Sequence, residues 1–216
     1  MIHESLETPI QGYYDAVVVG AGPAGCGAAI ALGRSGMKTL ILDRYNCLGG
    51  AWTTGFMNPL FDFKNKTGIV GELVSELKER NQFGGFGNMS FNYEYMKRIL
   101  ERKMQEANVE VLYNTTYSRT LVEQKRVYGI IAENISGRFA VMAKMIVDCT
   151  GDGNVAANAG WAFELGENGD YTACQAMTLM FLVGNIPEKY RNGLMLYEKL
   201  GAAYEKAGKQ IPFKVP

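Results

Sequence analysis

The chain has 216 residues, 47% of them hydrophobic, and its 22 basic and 22 acidic side chains cancel to a formal net charge of zero. A chain of this length buries about 70% of its unfolded surface, enough for a substantial core in one or two domains. The charge balance provides no basic field for nucleic acid and no acidic tail for a charged partner, so neither is expected.

The first dozen residues, MIHESLETPIQG, are polar and lack the apolar centre of a signal segment, which predicts a polar leader over 1–13 and a cytoplasmic chain. The apolar run from Ala16 to Leu32 is broken by glycines and a proline, so it fits a strand, turn and helix better than a membrane span. Val17, Val18 and Val19 lead into Gly20-x-Gly22-x-x-Gly25, an Ala-rich helix ending near Gly36, and a strand from Thr39 to Leu42 that stops at Asp43. In such a βαβ unit Gly20 permits the tight turn, Gly22 lets backbone N–H groups approach a pyrophosphate, and Gly25 lets helix and strand pack closely. The phosphates would sit at the helix N terminus, where free N–H groups and the helix dipole favour negative charge. Asp43, at the tip of the second strand, is placed to accept hydrogen bonds from a ribose.

The next segment, RYNCLGGAWTTGFMNP, is too irregular for a strand and predicts a loop or short helix lying along the cofactor. Ile69, Val70, Leu73, Val74 and Leu77 recur at helical steps, which predicts an amphipathic helix from Gly68 to about Arg80. A glycine-aromatic loop follows over 81–89. Asn92 then caps a helix with Tyr95, Met96, Ile99, Leu100 and Met104 on one side, stopped near Asn108. The period now changes from 3.6 to 2, with runs at Val109 to Tyr113, Ser118 to Glu123, Val127 to Glu133 and Arg138 to Ala143 that predict a small antiparallel meander. A separate apolar strand, Met145 to Asp148, would rejoin the parallel sheet and deliver Cys149-Thr150-Gly151-Asp152-Gly153 to its carboxyl edge. Beyond it a short helix is expected over Ala156 to Gly160, strands over Trp161 to Leu165 and Met177 to Val183, and an amphipathic helix from Pro187 to about Lys206 with Leu194, Tyr197, Leu200 and Tyr204 on one face. The expected organisation is α/β, with one domain over 14–160 and the start of an incomplete second domain over 161–216.

Cys26, Cys47, Cys149 and Cys174 lack CxxC spacing, which argues against a zinc site and a dithiol pair. The only histidine, His3, lies in the leader, so Ser-His-Asp chemistry and histidine-bound metal are not expected. Cys47 is either a redox thiol near the cofactor or a packed thiol, and Trp52 either stacks on a ring system or packs. Phe83, Phe86, Phe91, Tyr93 and Tyr95 line an apolar pocket or form a small core. Asp152 bonds the cofactor, caps the helix beginning near Asn154, or both. No catalytic side chain is singled out.

The ordered segments DAVVVGAGPAGCGAAIALGRSGMKTLILDR, LGGAWTTG, GELVSELKER, SGRFAVMAKMIVDCTGDGNVAANAGWAFELG and QAMTLMFLVGN resemble the FAD-dependent oxidoreductase family of the glutathione-reductase-like two-dinucleotide-binding superfamily. The resemblance implies a Rossmann-like FAD-binding domain with a parallel sheet, inserted helices, a small antiparallel meander and the start of a substrate domain. It places Gly20, Ala21, Gly22 and Gly25 around the FAD pyrophosphate, Asp43 on the adenosine ribose and Arg44 along the adenosine. Gly49, Gly50, Ala51, Trp52 and Thr53 match the family's Gly-Gly turn near pyrophosphate and flavin. Tyr117 falls where the family holds adenine through backbone atoms, and Thr150, Gly151 and Asp152 match its Thr-Gly-Asp element, with Asp148 assigned to the strand end. Two features depart from the pattern: family members are usually much longer, and a second GxGxxG for a nicotinamide nucleotide is absent. The implied function is transfer of a hydride or electrons between bound FAD and a small organic substrate, with a C-terminal remainder or partner chain completing the site. The alternatives are an NAD(P)-dependent dehydrogenase and a non-catalytic flavoprotein subunit that needs another chain.

Overall fold

The computed structural model describes residues 5–175, 177–188 and 193–209. The chain divides into two compact units, Met1–Thr178 and Leu179–Pro216. In the first, β1 (Ile10–Val19), α1 (Pro23–Arg34) and β2 (Thr39–Leu42) form the expected βαβ unit, with β1 and β2 parallel. The valines of β1 and all four residues of β2 are buried, as central parallel strands covered on both faces require. β1 begins inside the stretch expected to be a leader, because Ile10 and Gly12 onward pair with Ala140 and Val141 of a long neighbouring strand. His3 lies outside the described residues.

The two inserted helices form as the apolar spacing requires. α2 (Gly68–Glu79) buries Leu73, Val74 and Leu77, and α3 (Tyr93–Glu106) buries Met96, Ile99, Leu100 and Met104 in the same core as Ala29 and Ile30 of α1. Asn92 caps α3 as expected: its Oδ1 accepts the N–H groups of Glu94 and Tyr95 at 3.0 and 3.2 Å. Asn108 ends the segment in a left-handed conformation, φ 52°. Glu72 of α2 ties the three helices together, accepting both Arg34 guanidinium nitrogens at 2.7 Å and the buried Lys103 Nζ at 2.7 Å. The bonds from Arg34 and then Lys103 pull the Glu72 carboxyl down to about 2. Between the helices the glycine-aromatic loop contains a minimal antiparallel pair, β3 (Phe83–Gly84) and β4 (Ser90–Phe91).

β5 (Glu110–Leu112), β6 (Thr116–Glu123), β7 (Arg126–Asn134) and β8 (Gly137–Asp148) complete a six-stranded sheet in the order β5-β2-β1-β8-β7-β6. Two expectations are corrected here. β5 leaves the meander and pairs parallel with β2. The expected strands at Arg138 to Ala143 and Met145 to Asp148 are one strand, with β7 antiparallel along its first half and β1 parallel along its length. Lys144, between the two expected runs, lies inside the paired stretch, since Ala143 and Met145 pair with Tyr14 and Ala16 of β1, and its Nζ donates to Asp15 at 2.6 Å. The β6–β7 hairpin turns on Gln124 and Lys125, both left-handed (φ 48° and 64°), the arrangement a two-residue hairpin loop demands.

α4 (Asn154–Asn158) follows β8. The strands expected at 161–165 and 177–183 do not form. An extended segment becomes a strand only through a paired neighbour, and none of the described residues pairs with either stretch. Trp161, Phe163, Leu165, Met177, Leu179 and Phe181 are therefore exposed. In the second unit α5 (Gly193–Lys206) supplies most of the expected terminal helix, while residues 189–192 and the side chains of Leu194 and Tyr197 lie outside the description. Among the described residues no helix is long and apolar enough to cross a membrane.

Candidate cofactor site

A cleft of about 690 Å³ opens where β1, β2 and β8 end, at Val19, Leu42 and Asp148. This is the carboxyl edge at which open α/β sheets take their ligands. The three fingerprint glycines have different surroundings. A Cβ on Gly20 (φ 98°) would lie 2.3 Å from the Cys149 carbonyl oxygen, and one on Gly25 would lie 1.9 Å from the Gly20 oxygen. Both are therefore demanded by the fold. A Cβ on Gly22 would meet nothing within 4 Å, and its φ of −67° suits any residue. Gly22 thus leaves bare backbone facing the cleft at the N terminus of the 12-residue α1, where no side-chain cap and no first-turn acid is present. That terminus offers N–H groups and positive dipole to an anion.

The turn expected beside the cofactor is joined to this loop. The Gly49 N–H donates to the Ala21 oxygen at 2.8 Å, and a Cβ on Gly50 would lie 2.9 Å from the Gly22 Cα. Gly50 and Ala51 line the cleft together with Thr54 and Gly55, two residues the sequence reading missed although they continue the same run. Ala21, Gly25, Gly49, Trp52 and Thr53 do not line it. Trp52 meets Phe91 edge-on, with ring centroids 6.0 Å apart, and the buried Thr53 donates its hydroxyl to the Leu48 oxygen at 2.6 Å. These two side chains build the turn from behind.

Asp43 reaches the cleft from the end of β2. Its Oδ2 accepts the Ala21 N–H at 2.5 Å and its Oδ1 accepts the Tyr45 N–H at 2.9 Å. A carboxylate has room for about four hydrogen bonds, so capacity remains for hydroxyl groups. Arg44 lies beside it with its guanidinium 5.0 Å from the Tyr45 ring centre. Thr115, Thr116 and Tyr117 form the facing wall, held by the Thr115 N–H on the Asp43 backbone carbonyl at 2.8 Å. Tyr117 also hydrogen-bonds Thr120 through its hydroxyl at 2.5 Å.

On the β8 side Thr150, Gly151 and Asp152 line the cleft as expected, and Cys149 joins them. Asp152 makes no capping bond to α4. That role falls to Asp148, whose Oδ2 accepts the Ala156 N–H at 2.9 Å, and to Thr150, whose hydroxyl oxygen accepts the Asn154 N–H at 2.9 Å. Burial alone would raise the Asp148 carboxyl, but the bonds from Ala156 and Thr150 outweigh it and hold the group below the ordinary carboxylate range.

The four cysteines are free thiols. Cys47 lies outside the cleft lining, 3.3 Å from the Thr54 hydroxyl. Burial pushes the Cys26 thiol up to about 12, and burial followed by the Asp148 charge raises Cys149. The aromatic cluster packs as a small core: Phe91 is buried, Phe83 meets Phe63 at 4.9 Å and Tyr93 meets Phe56 at 5.0 Å, both edge-on. The Phe86 side chain is outside the description.

A βαβ fingerprint with bare backbone at its helix terminus, facing a cleft at the sheet's carboxyl edge, defines a dinucleotide-binding α/β protein. The sequence model of the FAD dependent oxidoreductase family matches residues 15–215, and the chain belongs to that family. It is 34% identical over 119 residues to a thiamine thiazole synthase of Aeropyrum pernix, covering 54% of this chain and 43% of that protein. Across the curated relatives it matches, the chain spans about half their length, 43% and 54% in two cases. Its fold is similar to a geranylgeranyl bacteriochlorophyll reductase-like protein from Thermoplasma acidophilum (TM-score 0.54, 20% identity, 69% of this chain and 42% of that one). It is likewise similar to THI4 of Thermovibrio ammonificans (TM-score 0.50, 19% identity, 68% and 61%). The family's cofactor is FAD, and the site fits it: the cleft volume lies in the range of cofactor sites, and the cradle that a Gly22 side chain would fill is free beside uncapped N–H donors.

Proposed function

We propose that this cleft binds FAD and that the chain is the FAD-binding part of an enzyme moving a hydride or electron pair between the flavin and a small organic substrate. The reading is carried by Gly22, the one fingerprint glycine whose missing side chain serves neither the turn nor the packing but leaves space at a helix terminus. In this reading Gly20, Ala21, Gly22 and Gly25 form the pyrophosphate loop, and Gly49 and Gly50 press the second turn against it. Asp43 accepts the ribose hydroxyls, Arg44 lies along the adenosine, and Tyr117 presents its backbone to the adenine. Ala51, Trp52 and Thr53 shape the wall toward the flavin, Trp52 and Thr53 from behind, while Thr150, Gly151 and Asp152 close the opposite side. Bound FAD supplies the redox chemistry, and these residues bind, orient and shield it.

Residues from 161 onward begin the substrate-facing part, which a C-terminal remainder or partner chain completes. The exposed apolar side chains of Trp161, Phe163 and Leu165 support that reading. Four unpaired thiols suit a reducing cytoplasmic compartment. The test is the absorbance of the purified chain and of the ligand it releases on denaturation. Flavin bands and released FAD are expected, and a colourless protein that binds only NAD would overturn the proposal. A second reading, thiazole formation for thiamine, rests on the identity to the Aeropyrum pernix protein. It predicts thiamine-free growth of a strain lacking its own thiazole synthase when this chain is expressed.

A further inference from the structure

The turn from Thr150 to Val155 lines the cleft through Thr150, Gly151, Asp152, Gly153 and Asn154, and side-chain crowding does not dictate its two glycines. Gly151 (φ 87°) and Gly153 (φ 67°) are left-handed, and a Cβ on either would meet nothing within 4 Å. Both ends of the turn are instead fastened to one carboxylate. Asp148 Oδ1 accepts the Thr150 N–H at 3.1 Å and the Thr150 hydroxyl at 2.7 Å, while Oδ2 accepts the Ala156 N–H at 2.9 Å. Thr150 passes the restraint on by accepting the Asn154 N–H at 2.9 Å. Asp148 itself also lines the cleft. Beside an anionic dinucleotide a second negative charge is unfavourable, so a carboxylate here needs a reason other than attraction to the ligand.

We infer that Asp148 is a positioning residue for the cofactor: its carboxylate holds the 150–155 turn in the one shape that presents Asp152 to the ligand. The inference rests on the FAD reading of the cleft. Asparagine at 148 keeps the shape and still accepts from Thr150, but its amide nitrogen would face the Ala156 N–H, donor against donor. Electrostatics alone predicts tighter FAD binding by Asp148→Asn, since a charge near the phosphates is removed, whereas positioning predicts weaker binding. The two explanations therefore differ in sign.

The experiment is a double-mutant cycle on the full chain, titrating FAD and following flavin fluorescence, with Asp148→Asn, Asp152→Asn and the pair. Asp148→Asn is expected to weaken FAD binding roughly 10- to 100-fold, by analogy with the loss of partners that orient metal ligands. In the Asp152→Asn background it is expected to cost nothing further. FAD binding at or above wild-type strength in Asp148→Asn, or the same loss in both backgrounds, would overturn the inference. Should Asp148→Asn fail to fold, Thr150→Val removes the hydroxyl link while keeping the carboxylate and enters the same cycle with the same expectation. Gly22→Val serves as the control: if it leaves FAD binding intact the cleft assignment itself fails, whereas loss of binding there with no effect at Asp148 refutes only the positioning role.

Discussion

Gly22→Val separates the ligand's demands from those of the fold. The new Cβ meets no protein atom within 4 Å, and the backbone at φ −67°, ψ −175° is extended and open to a branched residue. Losing glycine at the helix cap costs up to about 1 kcal/mol, and the stiffer unfolded chain returns about 0.4–1 kcal/mol. The melting temperature of the ligand-free chain should therefore move by no more than about 2–4 °C. Binding should respond differently. The methyl groups occupy phosphate space and push the pyrophosphate off the helix terminus. If two charge-assisted hydrogen bonds are lost at about 1.5–3 kcal/mol each, the total is about 3–6 kcal/mol. At 1.4 kcal/mol per tenfold, that corresponds to roughly a hundred- to ten-thousand-fold in Kd. FAD titration and thermal melting of the same preparations read the two quantities. Gly25→Ala is the contrast: its Cβ would lie 1.9 Å from a backbone oxygen, so it should lose about 1–3 kcal/mol or more of stability along with the cofactor. An unchanged FAD affinity in Gly22→Val, or a melting temperature that collapses without ligand, would refute the reasoning.

Asp43→Ala removes the acceptors of the Ala21 and Tyr45 N–H groups and, on the proposed FAD reading, the ribose partner. It should weaken FAD binding by about 1.5–3 kcal/mol in the same titration. Glu72→Gln leaves the buried Lys103 ammonium without a counter-charge and should cost about 1–2 kcal/mol at neutral pH, discounted because the Glu72 side chain is 38% exposed. The folded-state Glu72 carboxyl is pulled down to about 2 from 4.5. Its contribution is therefore whole above about pH 4.5 and lost as pH falls toward 2, so wild type should lose an increment of stability in acid melts that Glu72→Gln lacks. Lys125→Gly relieves a left-handed lysine at φ 64° in the β6–β7 turn. It should raise the melting temperature by about 2–4 °C for about 1 kcal/mol gained, and a lower melting temperature would contradict the turn geometry.

The βαβ opening was legible because each of its signals is local: buried valines, glycines at fixed offsets, and an acid at the strand tip. The caps and apolar faces of α2 and α3 were legible for the same reason. What failed was non-local. The runs at 138–143 and 145–148 read as two strands, because the partner that makes them one, β1, lies far back in the chain. The apolar runs at 161–165 and 177–183 have strand composition, but pairing depends on a neighbour that local pattern does not report. Asp148 read only as the end of a strand, and Asp152 as a cofactor contact, a cap for the helix near Asn154, or both. The geometry instead sends the strand-end Asp148 back over the turn and leaves Asp152 at the cleft. Trp52 and Thr53 stand in the right motif but pack behind the turn against Phe91 and the Leu48 oxygen, while Gly50, Ala51, Thr54 and Gly55 on either side of them line the cleft.

The two glycine motifs also prove interdependent in a way neither reveals alone. A Cβ on Gly50 would come within 2.9 Å of the Gly22 Cα, so the second turn can lie against the first only while residue 50 lacks a side chain. The Gly49 N–H bond to the Ala21 oxygen then fixes the distance between them. Gly50 is itself left-handed at φ 48°, so a side chain there would carry both conformational strain and a collision with the loop's backbone. The contact is thus made possible by bare backbone at Gly50, while the missing side chain of Gly22 leaves space on the cleft side. Fingerprint and Gly-Gly turn therefore pack as one structure, in which a side chain at residue 50 would disturb the first loop whereas one at residue 22 would leave the second turn in place.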